Sequence, residues 1–202
     1  MRRTLVLQKL LASFFMLNLQ AINNTWTLFL DRDGVINHEK ENSYILNWNE
    51  FHFYDHVKEA LKILNPFFKT IVVVTNQRGI GKSLMHINDL QNIHQHMVKE
   101  IEIAGGRIDK IYHCSDVENS SPNRKPNAGM AFQAKADFPF INFSTSIMVG
   151  NKLSDMQFGR NAKMHTVFVA TTHPETPYPN EHIDLRFQNL LEFATAIQQL
   201  HK

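Results

Sequence analysis

From residue 26 onward the chain alternates short apolar or β-branched runs with stretches of helical period. No other feature limits its fold as strongly. Trp26 to Leu30, Thr70 to Val74, Ile108 to Tyr112, Ser146 to Val149 and Thr166 to Val169 read as strands. The run at Thr70 is apolar without alternation, the pattern of a strand covered on both faces. Val57, Ala60, Leu61 and Leu64 repeat at helical spacing, with Asp55 as a cap and Pro66 as the stop. Ile87, Leu90, Met97 and Ile101 mark a long helix closed by Gly105 and Gly106. Further helices are expected over 127–137, after Gly150, and through Phe187, Leu190, Leu191, Ala194 and Ile197. Stretch 171–180 reads as a loop before that last helix. Such β-α alternation predicts an α/β fold with a doubly wound parallel sheet. Ligands of these sheets sit at the carboxyl ends of the strands.

At 202 residues the chain is long enough for one well-cored domain and short for two. Residues 26–202 are expected to form that domain, with 1–25 as an N-terminal extension. The start, basic at Met1 to Arg3 and apolar from Leu5 to Leu19, has two preferred explanations: an amphipathic packed segment, or a true start at Met16. A signal peptide ranks third, because Gln8 and Lys9 interrupt the apolar stretch and no small-x-small site follows. The stretch is also too short and broken to span a bilayer comfortably. A formal net charge of +2 demands neither nucleic acid nor an acidic membrane as partner. The single cysteine, Cys114, excludes an internal disulfide and a cysteine-rich zinc site, and suits the reducing cytoplasm. The sequence does not set the oligomeric state.

Four polar clusters fall at strand ends. In LFLDRDGVIN, Asp31 and Asp33 are two apart, so an extended strand points both carboxylates the same way. One can attack phosphorus while the other handles the leaving-group proton. A turn with aspartate caps would explain Asp-x-Asp-Gly alone. Yet a carboxylate straight after an apolar strand is costly unless paired or metal-bound. In IVVVTNQRGIGKS, Thr75 and Asn76 can hold phosphate oxygens. The Gly81-Lys82-Ser83 ending imitates a nucleotide-binding P-loop, but that motif needs glycine where Asn76 stands. Arg78 and Lys82 are candidates for the distal anionic part of a substrate, against a solvated pair of cations. In NRKPNAGM, Lys125 is placed to neutralise phosphate and Asn127 to cap a helix, although a solvated loop lysine is the commoner case. In IMVGNKLSDM, Asn151 and Asp155 can serve Mg²⁺ through oxygen, or merely cap and complement a helix. His94 and His96 read as surface residues, Met148, Met156 and Met164 as core filler, and Phe51, Phe53, Phe67 and Phe68 as packing.

Taken in order, Asp31-x-Asp33-Gly, Thr75-Asn76-Gln77, Arg124-Lys125-Pro126 and Gly150-Asn151-Lys152-x-x-Asp155 resemble the four motifs of the haloacid dehalogenase superfamily. DRDGVIN, TNQRGIG and RKPNAGM resemble its small phosphatases acting on heptose 1,7-bisphosphate and histidinol phosphate. The resemblance implies an Mg²⁺-dependent phosphomonoesterase with Asp31 as nucleophile and Asp33 as acid and base. It assigns Mg²⁺ to the Asp31 carboxylate, the Asp33 carbonyl and residue 151, and substrate contact to Arg124. Thr75, Asn76 and Lys125 would stabilise the transferring phosphoryl group. Relatives often carry a zinc loop of three Cys and one His before Arg-Lys-Pro. Here HCSDVENSSPN keeps Cys114 alone among those ligands, so no zinc is expected and other contacts must hold the loop. Relatives also usually place an aspartate where Asn151 stands. Asp31 and Thr75 lie 44 residues apart, and Thr75 and Lys125 lie 50 apart, leaving no room for a large cap domain. Loop 38–54, with Tyr44, Ile45 and Trp48, is then the expected rim. The leading expectation is a phosphatase of a small sugar phosphate or histidinol phosphate. The alternatives are a nucleic-acid 3′-phosphatase, which shares the Thr-Asn-Gln loop, and a weakened relative that binds a phosphorylated ligand.

Overall fold

A computed structural model describes residues 17–202. The expectations for residues 1–16 lie outside the described residues. Six parallel strands form one sheet: β1 (Thr27–Leu30), β2 (Thr70–Asn76), β3 (Lys110–Cys114), β4 (Ser146–Gly150), β5 (His165–Val169) and β6 (Leu185–Phe187). Their order is β3-β2-β1-β4-β5-β6. The chain first builds outward on one side of β1 and then on the other, so the strand order reverses between β1 and β4. Open α/β sheets bind ligands beside such a reversal, at the carboxyl ends of the strands. Leu30 is in register with Val149, which sets Asp31 beside the end of β4.

Five helices cover the sheet: α1 (Val57–Leu64), α2 (Ile87–Ile103), α3 (Gly129–Asp137), α4 (Leu153–Asn161) and α5 (Leu190–Leu200). A single helical turn at Arg78–Gly81 follows β2. Side chains alternate across the sheet as the pleat requires. Leu28, Leu30, Val73 and Val149 pack with Leu61, Leu64, Met97 and Phe193 on one face. Phe29, Val72, Val74 and Met148 pack with Met130, Ala134, Met156 and Phe158 on the other. Both faces are apolar, so the strands read as unbroken hydrophobic runs. Each large side chain so buried contributes about 1.5–3 kcal/mol. Two such walls hold the strand ends rigid enough to aim polar groups at one point.

Most elements match the expectations within two residues. Leu17 and Ile22, from the expected extension, are buried in the main core, and residues 19–21 lie against α5. The structure corrects several details. β6 lies between the expected loop 171–180 and the last helix, with no element expected at 185–186, and Phe187 belongs to this strand rather than to α5. Its three residues are only half-buried, so no strong apolar run announces it. The cap of α1 is His56, in a left-handed conformation (φ 61°), not Asp55. Asn127 does not cap α3; its amide donates to the carbonyl oxygens of Asn119 and Ser121. Of the three expected rim residues in loop 38–54, Ile45 is buried, while Trp48, stacked on Phe51 and His96, and Tyr44 are half-buried. Among the described residues no helix is long and apolar enough to cross a membrane.

Candidate active site

Asp31 follows β1, and its backbone N–H continues the ladder onto Val149 O at 3.0 Å. The chain then turns at Gly34 (φ 91°). A side chain at residue 34 would be strained, and its Cβ would lie 2.0 Å from the Asn151 amide nitrogen. Glycine therefore lets the β1 turn and the β4 end meet. β4 delivers Asn151, fully buried, whose amide nitrogen donates to Thr172 Oγ1 at 2.6 Å.

Lys125 joins the two sides. Its Nζ lies 2.8 Å from Asp31 Oδ1 and 2.7 Å from Asp155 Oδ1. Asp155 Oδ2 accepts the Lys152 N–H at 3.0 Å at the start of α4. Asn76 secures the Lys125 backbone reciprocally: its Oδ1 accepts the Lys125 N–H at 3.1 Å, and its Nδ2 donates to the Lys125 carbonyl at 3.2 Å. The expected phosphate-binding side chain of Asn76 thus spends both polar groups on positioning Lys125. Asp155 has one protein contact on each oxygen, Lys125 on Oδ1 and the Lys152 N–H on Oδ2.

Asp33 points into a separate set of donors. Arg32 Nη2 reaches its two oxygens at 2.8 and 3.0 Å. Asn37 Nδ2 donates to Oδ1 at 2.9 Å, and Gln77 Nε2 donates to Oδ2 at 2.8 Å. Gln77 Nε2 also donates to Thr75 Oγ1, joining the β2 end to the Asp-x-Asp turn. Arg32, Asn37 and Gln77 are not among the site residues expected from sequence. Gln77 had a signal, two positions after Thr75 in the same motif. Arg32 had none, because strand alternation would aim it away from the aspartates.

The two aspartates experience opposite fields. Burial, reinforced by Asp155, pushes Asp31 up to about 7 although Lys125 pulls against it. Burial also opposes ionisation of Asp33, but the Arg32 guanidinium and the donated hydrogen bonds hold its carboxyl below the usual range. Burial would lower Lys125; Asp155 and Asp31 together raise it, so it stays a cation. With all three carboxylates ionised, Asp31, Asp33 and Asp155 face two cations, Lys125 and Arg32, and one negative charge is left for a bound cation to offset. Asn151 Oδ1 is buried without a hydrogen-bond partner. Buried polar oxygens are almost always satisfied, and Mg²⁺ takes hard oxygen donors. The donor set fits a divalent cation.

Around the mouth, Arg78 donates to Asn119 at 2.6 Å. Burial and the nearby Arg78 charge lower the proton affinity of Arg124, which lies alongside. Lys82 is exposed, its Nζ 5.4 Å from the centre of the Tyr44 ring. The loop after β3 is held by Ser121 donating to Asp116, by Asn127 on Ser121 O, and by weak contacts of the buried Cys114 thiol with both Asp116 and Ser121. His94 departs from expectation. It is half-buried, and its Nε2 meets Arg32 Nη1 at 3.2 Å. His96 is exposed and stacks on Trp48.

Comparisons with known proteins show the family to which the chain belongs. The family profile described as polynucleotide kinase 3 phosphatase matches residues 27–180. A Mycobacterium tuberculosis (strain H37Rv) protein named D-glycero-alpha-D-manno-heptose-1,7-bisphosphate 7-phosphatase is 34% identical, over 85% of this chain and 91% of its own length. The chain belongs to the haloacid dehalogenase superfamily of phosphatases. An Escherichia coli (strain K12) relative, named D-glycero-beta-D-manno-heptose-1,7-bisphosphate 7-phosphatase, is 32% identical over 87% of this chain and 95% of its own length. The fold matches the solved D,D-heptose 1,7-bisphosphate phosphatase of B. bronchiseptica, itself complexed with magnesium and phosphate, with a TM-score of 0.77. That match has 23% identity and covers 86% of this chain and 98% of the other. The phosphatase thus has the parallel α/β sheet of this superfamily and lacks a large cap among the described residues.

Proposed function

We propose that this phosphatase removes one phosphate from a small sugar bisphosphate, with Asp31 as nucleophile and Mg²⁺ as cofactor. The observation that carries the proposal is the meeting of Asp31 with Lys125 at the carboxyl ends of the strands, with Asp33 held separately two residues on. The names of the relatives favour a heptose bisphosphate over histidinol phosphate. Arg78 and Arg124 at the mouth suit a second anionic group.

In the first step an Asp31 carboxylate oxygen bonds to phosphorus as the bond to the sugar oxygen breaks. Asp33 donates a proton to that departing oxygen. At rest Asp33 is a carboxylate, so its proton must come with substrate binding; the phosphate charge nearby raises its proton affinity. In the second step Asp33 takes a proton from water. The resulting oxygen nucleophile attacks phosphorus, and the bond to Asp31 breaks. Lys125 holds charge on the transferring group, the main task in phosphoryl transfer. Asp155 and Asn76 keep Lys125 in place. The Asp31 carboxylate, the Asp33 carbonyl and Asn151 Oδ1 would hold Mg²⁺, which when bound neutralises charge on phosphoryl oxygens.

Phosphate release from heptose 1,7-bisphosphate, histidinol phosphate and a 3′-phosphorylated oligonucleotide tests the substrate class. The heptose bisphosphate should give the highest kcat/KM. A preference for the oligonucleotide would favour the activity in the family profile's description.

Two variants probe parts of this site. Replacing Arg78 and Lys82 together with alanine should raise KM for a bisphosphate about tenfold and spare a small aryl phosphate. An unchanged KM would make both residues solvated cations with no substrate role. Asn151→Asp should bind Mg²⁺ more tightly, because it restores a formal charge. A unit pair at about 4 Å in an effective dielectric of about 20 is worth about 4 kcal/mol. Solvation offsets much of that, so a tenfold shift corresponds to about 1.4 kcal/mol and is the expected scale. Titrating Mg²⁺ by calorimetry in the absence of substrate reads this directly. Identical isotherms would remove residue 151 from the metal site.

A further inference from the structure

Arg32 is fully buried, and most of its hydrogen bonding goes to the neighbouring Asp33. One face of its guanidinium lies 5.9 Å from the centre of the Phe51 ring. Its remaining contact is with α2: Nη1 lies 3.2 Å from His94 Nε2, across 62 residues of sequence. An arginine can only donate, so Nε2 must accept and the ring proton must sit on Nδ1. Burial and the adjacent Arg32 charge keep the ring neutral, moving its proton affinity down to about 3. His94 is therefore a fixed acceptor at physiological pH.

An arginine side chain has about 2 kcal/mol of rotamer entropy, and an ion pair with its own neighbour restrains it poorly. A second anchor from another element removes that freedom. The core residues Leu90, Ile93 and Met97 clamp α2, so the His94 ring is positioned by the core and not by the turn it touches. Truncating the ring would leave Nη1 buried without an acceptor. The guanidinium would then swing and take the Asp33 carboxylate with it.

We propose that His94 is a positioning residue for the acid–base step, fixing Arg32 and through it the orientation of Asp33. The proposal rests on the assignment of Asp33 as proton donor and acceptor. His94→Phe fills the volume without an acceptor, while His94→Gln restores a neutral one. With the sugar bisphosphate or an aryl phosphate that turns over, His94→Phe should lower kcat about tenfold and leave KM within about twofold. His94→Gln should recover most of that loss. Because His94 acts through Asp33, adding His94→Phe to Asp33→Asn should slow the enzyme no further. Melting temperatures of all variants identify any that fail to fold, and His94→Met replaces the phenylalanine variant in that case. The proposal is overturned if His94→Phe turns over normally, if Gln and Phe fall equally, if the loss is in KM, or if the double-variant losses multiply. Wild-type turnover by Asp33→Asn alone would overturn the acid–base assignment itself, a failure distinct from normal turnover by His94→Phe beside a crippled Asp33→Asn.

Discussion

Asp31→Asn should lower turnover by about 10⁴-fold or more and leave the fold intact. An amide oxygen cannot serve as this nucleophile, and its shape matches the carboxylate closely enough to keep the Arg32 N–H contact at 2.7 Å. The same change should raise the stability of the metal-free protein. Asp31 moves from an ordinary value of 3.8 to about 7 in the folded protein. Between those values the folded state binds more protons than the unfolded state. Stability from this group is therefore complete below 3.8 and lost as pH rises to about 7. In chelator, Asp31→Asn should melt above wild type at about pH 8, and the gap should close toward about pH 5. Phosphate release and melting curves on one preparation check both halves. An active variant ends the nucleophile assignment; a gap that does not change with pH ends the electrostatic account.

Lys125→Met has the second largest effect, and it acts on stability and rate together. Lys125 Nζ sits between Asp31 and Asp155, within 2.8 Å of each. Removing the cation leaves two buried carboxylates facing each other. Breaking a buried pair in this way costs about 3–5 kcal/mol. Bound Mg²⁺ should return part of it, so melting curves with and without the metal should separate more than for wild type. The rate should fall by at least about 10²-fold, the scale of one lost electrostatic stabiliser. Lys125→Arg should keep the charge but not the rate, because a planar guanidinium does not fit a tetrahedral ammonium position between two carboxylates. Normal turnover by either variant would remove Lys125 from the catalytic group.

Much of this architecture was legible because it rests on local patterns. The unbroken runs at Thr70 and Ser146 had to be strands covered on both sides, and β2 and β4 are buried through the core. The strand-end rule then grouped Asp31, Thr75, Lys125 and Asn151 before any contact was visible. What escaped was decided by tertiary packing. β6 is three half-buried residues and carries no periodic signal. Asn76 looked free to bind phosphate because its partner, the Lys125 backbone, lies 49 residues away. Arg32 sits between two aspartates, where alternation points it outward; it is instead fully buried and paired with Asp33. His94 looked like a surface helix residue because the helix period does not reveal a buried guanidinium waiting on the other side. The loop after β3 is held by the Asp116–Ser121 contact, which has no sequence signature.

The central claim is that a phosphoryl group passes through Asp31. The direct measurement is acid quench of the wild-type protein during turnover of the sugar bisphosphate with Mg²⁺, followed by peptide mass spectrometry. One phosphoryl group should be added to the peptide holding Asp31, sensitive to hydroxylamine and absent from Asp31→Asn. Sustained phosphate release with the adduct on another residue, or undiminished release by Asp31→Asn, would contradict it.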